Sequence, residues 1–188
     1  MSKKLDDVVI TSALRTPIGT YKGSLKNLSA DKLGALAIKE AVHKSNLKSE
    51  QIDEVIMGHV LTSGLGQNPA RQASINAGIP VSKPAHIVNQ VCGSGLRSIV
   101  SGFQSIKLEE DMIVVSGGQE NMSRAPHALF YRENKKLDES KLIDTMINDG
   151  LIDSFNHYHM GVTAENVAEK FEISRDEQDN FALNSQKK

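Results

Sequence analysis

The sequence has little of what marks several protein classes. Cys92 is the single cysteine among 188 residues, which excludes an intrachain disulfide and a cysteine-rich zinc site. No stretch approaches the roughly 18 apolar residues of a membrane-spanning helix, and the first residues lack an apolar signal-peptide core. Charge is balanced, with 22 basic and 23 acidic residues. These features predict a cytoplasmic protein that binds neither membrane nor nucleic acid.

Aromatic residues make up 4% of the chain and tryptophan is absent, so we expect an aliphatic core. Short apolar runs predict strands at 8–10, 55–57, 86–91 and 112–115, the last of them buried on both faces. Helical spacing or capping signals follow Ser29, Asn68, Cys92, Thr163 and Ser174. This alternation predicts an α/β fold with a mostly parallel mixed sheet and helices on both faces.

The regular pattern is interrupted once. Residues 121–162 are rich in Met, His, Asn and charge and show no sustained period. We therefore predict one α/β domain from 1–120 and 163–188, with an inserted loop subdomain at 121–162 that is functional or reaches another subunit. The charge run at 133–141 is most simply a solvated surface.

Cys92 stands where a predicted strand gives way to a predicted helix. A thiolate is the reactive form of cysteine, and a helix N-terminus stabilises it. The following Gly93-Ser94-Gly95 leaves room for a substrate carbonyl near backbone N–H groups, which can hold an oxyanion. This arrangement suits covalent acyl transfer. A buried, inert cysteine in a tight turn is the alternative.

Several segments together carry a family resemblance. They are Ala-Leu-Arg-Thr-Pro-Ile-Gly at 13–19, Val-Asn-Gln-Val-Cys-Gly-Ser-Gly-Leu at 88–96, Gly-Gly-Gln-Glu-Asn-Met-Ser-Arg-Ala-Pro-His at 117–127, His-Met-Gly-Val-Thr-Ala-Glu-Asn at 159–166 and Ser-Arg-Asp-Glu-Gln-Asp at 174–179. In this order they resemble the signatures of the thiolases, over the N-terminal half of that family. The glycines after Cys92 and in 117–119 are more similar to acetyl-CoA acetyltransferases than to long-chain 3-ketoacyl thiolases.

The resemblance implies roles for individual residues. Cys92 would be the nucleophile that carries the acyl group, with its own N–H as one oxyanion donor. His159 and Met160 would line the pocket beside the acetyl group, and Leu151 would pack near the pantetheine arm. Acetyl-CoA or another acyl-CoA would be the substrate, with no resident cofactor and no metal. Without the resemblance, His157 and His159 are simply solvent-facing or core histidines.

The implied reaction condenses two acetyl-CoA to acetoacetyl-CoA, or runs the reverse thiolysis, through a Cys-linked acyl-enzyme of lipid metabolism. In the family, residues 122–141 match a loop that joins subunits into homotetramers. A second half of the fold supplies the activating histidine and a second cysteine. Because neither is found here, we expect the C-terminal half to be a missing partner, activity to be incomplete, and one helix layer to expose an apolar patch.

Three alternatives remain open from the sequence. The chain could be a non-catalytic truncated thiolase domain, because the acid–base groups of the second half are not among its residues. It could be a 3-ketoacyl-CoA thiolase of fatty-acid degradation, which shares the nucleophile. It could also be a ketoacyl synthase, which has the same fold and cysteine within different surrounding motifs.

Overall fold

The computed structural model describes residues 7–132 and 141–188. The chain divides into two compact units, Met1–Met146 and Ile147–Lys188. The helices are α1 (Ala30–Lys44), α2 (Pro69–Asn76), α3 (Ser94–Lys107), α4 (Thr145–Gly150), α5 (Met160–Lys170) and α6 (Arg175–Lys187). The strands are β1 (Glu54–Gly58), β2 (Ala85–Val88), β3 (Val114–Gly118), β4 (His127–Ala128) and β5 (Ile143–Asp144). Short 3₁₀ turns lie at Ser49–Gln51 and Met122–Arg124.

The main sheet of the first unit is parallel, with the strand order β2-β1-β3. Val55 of β1 pairs with Ala85 of β2 on one side and with Val115 of β3 on the other. Antiparallel pairing between the named strands described is confined to the β4–β5 ribbon. The predicted α/β class with a mostly parallel sheet is confirmed.

One face of this sheet supports the aliphatic core. Side chains alternate along a strand, so Val55 and Met57 of β1 point to the same face. They pack with α1 and α2 into a cluster that includes Ala35, Ile38, Val42, Ile52, Ala70, Ala73, Ala77 and Ile79. Full burial of one such branched side chain stabilises the fold by about 1.5–3 kcal/mol. Asn68 caps the N-terminus of α2, because its Oδ1 accepts a hydrogen bond from Arg71 N at 3.1 Å.

The opposite face of the sheet is covered by α3, so helices lie on both faces as predicted. Small residues make this contact. A Cβ at Gly102 would lie 2.5 Å from Ser116 Oγ and 3.1 Å from Val114 Cγ1. Ser98 is fully buried, and its hydroxyl lies 2.7 Å from the carbonyl oxygens of both Gly95 and Gly117. The helix therefore approaches the strands closely.

The apolar stripe of α3 faces away from this sheet. Its members are Leu96, Ile99, Val100 and Phe103, all of them exposed, with Leu96 at 70%. A helix after Cys92 was predicted with an apolar face that also includes Ile106, which is half-buried. The helix is confirmed, and its exposed apolar residues agree with the predicted apolar patch on a helix layer.

The strand predictions at 8–10 and 112–115 need correction. The run at 8–10 is not a strand, because Val9 and Ile10 are 71% and 76% exposed and pair with no strand among the described residues. Nearby, Ser12 Oγ donates to Ala41 O at 2.9 Å, which holds this segment against α1. Strand β3 begins at Val114 and is only partly buried, rather than buried on both faces, because it is an edge strand of the described sheet.

Asp53 joins the starts of β1 and β3. Its carboxylate accepts from Met112 N at 3.0 Å and Ile113 N at 3.1 Å, and Lys83 Nζ lies 3.4 Å away. The Met112 N–H is the largest cause that holds the pKa of Asp53 below its ordinary value, followed by Ile113 N–H and Lys83, while partial burial opposes them.

The second unit holds α5 and α6. Helix α5 begins at Met160, three residues before the predicted start at Thr163. The predicted capping box of α6 is confirmed, because Ser174 Oγ accepts from Glu177 N and Ser174 N donates to Glu177 Oε2. Among the described residues, no helix combines the length and apolar content needed to cross a membrane. The predicted subdomain at 121–162 begins in the first unit and ends in the second, and its treatment as one subdomain stays a prediction.

Candidate active site

Cys92 lies in the turn that connects β2 with α3. Strand β2 ends at Val88 rather than at the predicted 91, and α3 begins at Ser94. The thiol therefore follows the carboxyl end of a strand and immediately precedes a helix N-terminus, as predicted. Its side chain is exposed, so the alternative of a buried cysteine is wrong.

Hydrogen bonds within the turn fix its shape. Ser94 Oγ accepts from Gln90 N at 2.8 Å and donates to Val91 O at 2.6 Å. Gly93 N donates to Gln90 O, and Ser94 N donates to Val91 O, both at 3.0 Å. Val91 has a φ of 48°, a left-handed conformation that a β-branched residue adopts only when its surroundings impose it. The turn is thus built around the hydroxyl of Ser94.

The backbone N–H groups of Cys92, Gly93 and Ser94 differ in their hydrogen bonds. Those of Gly93 and Ser94 are used inside the turn. Cys92 pairs with Gln90 in an isolated parallel bridge, and no other backbone hydrogen bond of Cys92 is found within residues 7–132 and 141–188. A backbone N–H beside a nucleophile, at a helix start whose dipole favours negative charge, can stabilise an oxyanion.

Gly58 at the end of β1 lets α3 approach the sheet next to this turn. A Cβ on Gly58 would lie 2.5 Å from Gly95 N and 2.7 Å from Ser94 O. At Gly95, in contrast, a Cβ would meet nothing within 4 Å. The first glycine is needed for packing, whereas the second leaves open space beside the thiol-bearing turn.

A buried polar group lies at the same edge of the sheet. His59 follows β1 and is 1% exposed. Its Nδ1 is 3.2 Å from Gln119 Nε2, and its Nε2 is 3.2 Å from Glu120 Oε1. Both partners directly follow β3. The Nε2 contact is close but poorly aligned for a hydrogen bond, so it is mainly electrostatic.

In the second unit, the three other predicted residues lie close together. Met160 N donates to Leu151 O at 2.8 Å, and Ile152 forms an isolated antiparallel bridge with His159. His159 caps α5, because its Nδ1 accepts from Gly161 N at 3.0 Å. This bond places the ring proton on Nε2. His159 is exposed, whereas Leu151 and Met160 are half-buried.

A tight turn separates Leu151 from His159. Asp153 accepts from Asn156 N at 2.8 Å and from Asn156 Nδ2 at 2.6 Å. These bonds, with the Asn156 N–H the largest cause, hold the pKa of Asp153 below its ordinary value. His157 has a φ of 58° in this turn and is exposed. The described residues contain no group of three His, Cys, Asp or Glu arranged to hold a metal ion.

With this geometry established, comparison with known proteins decides the family. The family model described as "Thiolase, N-terminal domain" matches residues 8–188. The chain belongs to the thiolase family. It is 53% identical over 185 residues to the acetyl-CoA acetyltransferase of Cupriavidus necator, covering 98% of this chain and 47% of that protein.

Other relatives of this thiolase chain carry the same name and are covered to a similar extent. The acetyl-CoA acetyltransferase of Paracoccus denitrificans is 53% identical over 180 residues, or 96% of this chain and 46% of that protein. The "Acetyl-CoA acetyltransferase, cytosolic" of Rattus norvegicus is 49% identical over 186 residues, or 99% of this chain and 47% of that protein. The chain thus spans about half the length of the curated relatives it matches.

The site predictions for this thiolase chain have different outcomes. The structure places Cys92 in the first unit, and Leu151, His159 and Met160 within a few residues of one another in the second. Their catalytic and binding roles stay predictions. The charge run at 133–141 lies outside the described residues except for Lys141. Sequence reasoning did not single out His59, which is buried at the same edge of the sheet as Cys92. Its position directly after a buried strand, at the edge where parallel sheets hold their sites, was the available signal.

Proposed function

We propose that this thiolase chain supplies the nucleophilic half of an acetyl-CoA acetyltransferase. The reaction condenses two acetyl-CoA to acetoacetyl-CoA, or runs in reverse as thiolysis. One observation supports this above all: the lone cysteine is exposed in a hydrogen-bonded turn at the start of α3. The curated relatives carry the name of that activity.

The first half-reaction uses groups of this chain. The Cys92 thiolate attacks the carbonyl carbon of acetyl-CoA, and the tetrahedral intermediate places its negative oxygen near the Cys92 N–H and the N-terminus of α3. Collapse breaks the carbon–sulfur bond to coenzyme A. The products are an acetyl thioester on Cys92 and a coenzyme A thiolate, which takes up a proton.

The second half-reaction forms the carbon–carbon bond. A proton leaves the α-carbon of a second acetyl-CoA, and the resulting enolate attacks the acetyl group on Cys92. Acetoacetyl-CoA forms, and the Cys92 thiolate is released. The proton transfer requires a positioned acid–base group. We propose that the second half of the fold provides it, as the family resemblance implies, and that this half also contacts the apolar face of α3.

Leu151, His159 and Met160 are proposed to bind the substrate. Their grouping around one short bridge supports a shared role, because two half-buried apolar side chains flank an exposed imidazole. The Nε2–H of His159 is available to a substrate oxygen, since Nδ1 is occupied by Gly161 N. Coenzyme A thioesters are the proposed substrates, and no resident cofactor is invoked.

We extend the proposal to cellular context on the strength of the relatives. Two mammalian ones are named cytosolic, which supports a cytoplasmic location. A role in lipid metabolism is proposed from the family resemblance alone. A homotetramer of the full-length form is proposed from the family resemblance of residues 122–141. Size measurement of a protein that contains both halves tests this point, and a monomer would contradict it.

Acetyl transfer to Cys92 is tested by labelling. The chain is incubated with radiolabelled acetyl-CoA, and peptides are mapped after proteolysis. We expect label on the Cys92 peptide and none in Cys92→Ser. No label under conditions that acetylate a full-length thiolase would favour the non-catalytic alternative. Stronger labelling by long-chain acyl-CoA would favour a 3-ketoacyl-CoA thiolase, and labelling only from an acyl carrier protein would favour a ketoacyl synthase.

A further inference from the structure

We propose that His59, Gln119 and Glu120 form a positioning group that sets the orientation of the Cys92 turn. None of the three is assigned a step in the chemistry above. The inference deepens the proposed function, and it rests on that function only in taking Cys92 as the reacting group. It is carried by the way a single buried residue, His59, connects the ends of all three strands of the sheet through its backbone and its ring.

His59 makes one contact to each strand end. Its backbone N donates to Val88 O, the last residue of β2, at 3.1 Å. Its own chain position directly follows β1, and its ring contacts Gln119 and Glu120, which directly follow β3. The three strands pair in parallel register up to Gly58 and Gly118. His59 therefore continues the connection between strands, by its backbone toward β2 and by its ring toward β3, just past the point where the regular ladder ends.

Glu120 closes this connection from the other side. Its Oε2 accepts from Val60 N at 2.9 Å, and its Oε1 lies 3.3 Å from Leu61 N. One carboxylate thus holds the two residues that follow His59 while its Oε1 faces the imidazole ring. A carboxylate that accepts backbone N–H groups makes stronger hydrogen bonds than a neutral acceptor. The segment after β1 is fixed to the segment after β3.

The side chain of Gln119 is closely packed by its neighbours. Its backbone N donates to Gly58 O at 3.0 Å, and its side chain passes against α1 at Gly34. A Cβ on Gly34 would lie 3.1 Å from Gln119 Cδ, so a larger residue there would push the amide toward His59. The amide nitrogen of Gln119 faces His59 Nδ1 at 3.2 Å, so these two side chains contact each other directly.

The path from this group to the thiol is short. Val88, whose carbonyl accepts from His59 N, is separated from Cys92 by three residues, and those residues form the rigid turn around Ser94. The start of α3 is in turn packed on Gly58, the residue before His59. Movement of His59 would therefore shift both ends of the Cys92 turn, the strand end and the helix start.

A purely structural role would be a weaker explanation of these residues. Burial of an imidazole beside a carboxylate carries a desolvation cost, and well-packed apolar residues often serve stability as well or better. The contact between His59 Nε2 and Glu120 is also poorly aligned. A group kept for stability alone gains little from such a contact. A group that fixes the edge carrying the nucleophile uses the polar contacts for orientation.

The test measures the rate at which iodoacetamide alkylates Cys92 in the 188-residue chain. Because Cys92 is the only cysteine, no background thiol contributes. We expect Glu120→Ala to change the rate by about threefold or more, the size of effect that a displaced helix N-terminus has on a neighbouring charge. Glu120→Gln retains an oxygen that accepts from Val60 N and should restore most of the wild-type rate.

The chain offers a matched control at the other end of β1. Glu54 Oε1 contacts His86 Nδ1 at 2.9 Å, which is the same pair of side chains at the amino edge of the sheet. Glu54→Ala should leave the alkylation rate within about 1.5-fold of wild type, because Glu54 lies at the end of β1 that is remote from the thiol. Equal rate changes in Glu54→Ala and Glu120→Ala, or none in Glu120→Ala, would overturn the proposal.

Two further outcomes of the alkylation experiment bear on the proposal. If Glu120→Ala does not fold, Glu120→Asp replaces it, because it keeps the charge but shortens the reach to Val60 N by one methylene, and the same comparison with Glu54→Ala decides. Alkylation requires no acyl-CoA. A persistent Glu120 effect without acetylation of the wild-type chain would overturn the proposed function alone, and acetylation without a Glu120 effect would overturn this inference alone.

Discussion

Gly58→Ala is the substitution whose effect the structure specifies most closely. The new Cβ would lie 2.5 Å from Gly95 N, whereas ordinary contact begins at 3.4 Å, a deficit of 0.9 Å. The obstructing atoms belong to the backbone of α3, so no side chain can rotate away. Either α3 moves off the sheet at its N-terminus or β1 bends at its carboxyl end.

The cost follows from the size of this overlap. Inserting one extra carbon into a packed interior typically costs about 1–3 kcal/mol, and an overlap with backbone atoms belongs at the upper end of that range. A loss of about 3 kcal/mol would lower the midpoint of thermal unfolding by roughly 6–12 °C for a chain of this size. Urea unfolding followed by circular dichroism measures the free energy directly.

Gly95→Ala is the matched control, since its Cβ would meet nothing within 4 Å. Alanine favours a helix over glycine, so we expect stability to stay equal or to rise by up to about 1 kcal/mol. The same methyl narrows the open space beside Cys92, and acetyl labelling should fall. Wild-type stability of Gly58→Ala, together with an unchanged alkylation rate of Cys92, would refute the close packing of α3 on β1.

Three further predictions concern single side chains. Asp53→Asn should lower the free energy of unfolding by about 1–2 kcal/mol, a discounted value for a half-buried carboxylate. Because the Met112 N–H, above all, lowers the pKa of Asp53, its stabilisation is full above the unfolded pKa and is lost as pH falls through the folded pKa. Acid titration should show a smaller loss of stability in Asp53→Asn than in wild type, since Asp153 and Glu177 also have lowered pKa values and still titrate. Ser174→Ala removes the acceptor of Glu177 N and should cost about 1 kcal/mol, seen as lost helical circular dichroism, whereas an unchanged spectrum would contradict the cap. Cys92→Ser should abolish acetyl labelling while stability stays within about 0.5 kcal/mol, as for other exposed positions.

Much of the fold was predictable because its signals are local. The apolar run at 55–57, the cap at Asn68 and the capping box at Ser174 and Glu177 each act within a few residues, and each was found where expected. The position of Cys92 between a strand and a helix could be predicted for the same reason. Local signals survive folding when tertiary contacts agree with them.

The remaining features depend on contacts between distant residues. The apolar triplet at 8–10 has the composition of a strand, but no described strand pairs with it. The link between His59 and Glu120 spans about 60 residues of sequence, and neither residue belongs to a spacing motif that would pair them. Periodicity shows that α3 is amphipathic, but it cannot show which side meets the sheet.

The orientation of α3 reverses the usual rule for judging substitutions within this unit. A hydropathy scale would rank Leu96 and Phe103 as indispensable and Ser98 and Gly102 as replaceable. The structure indicates the opposite order for folding of this unit, since Ser98 and Gly102 are buried against β3, whereas Leu96 and Phe103 are exposed. A deep mutational scan of stability should therefore find substitutions tolerated along the apolar stripe of α3 and not tolerated at Ser98 and Gly102. Consensus or ancestral redesign guided by hydrophobicity alone would preserve the exposed side of α3 and alter the side that packs on the sheet.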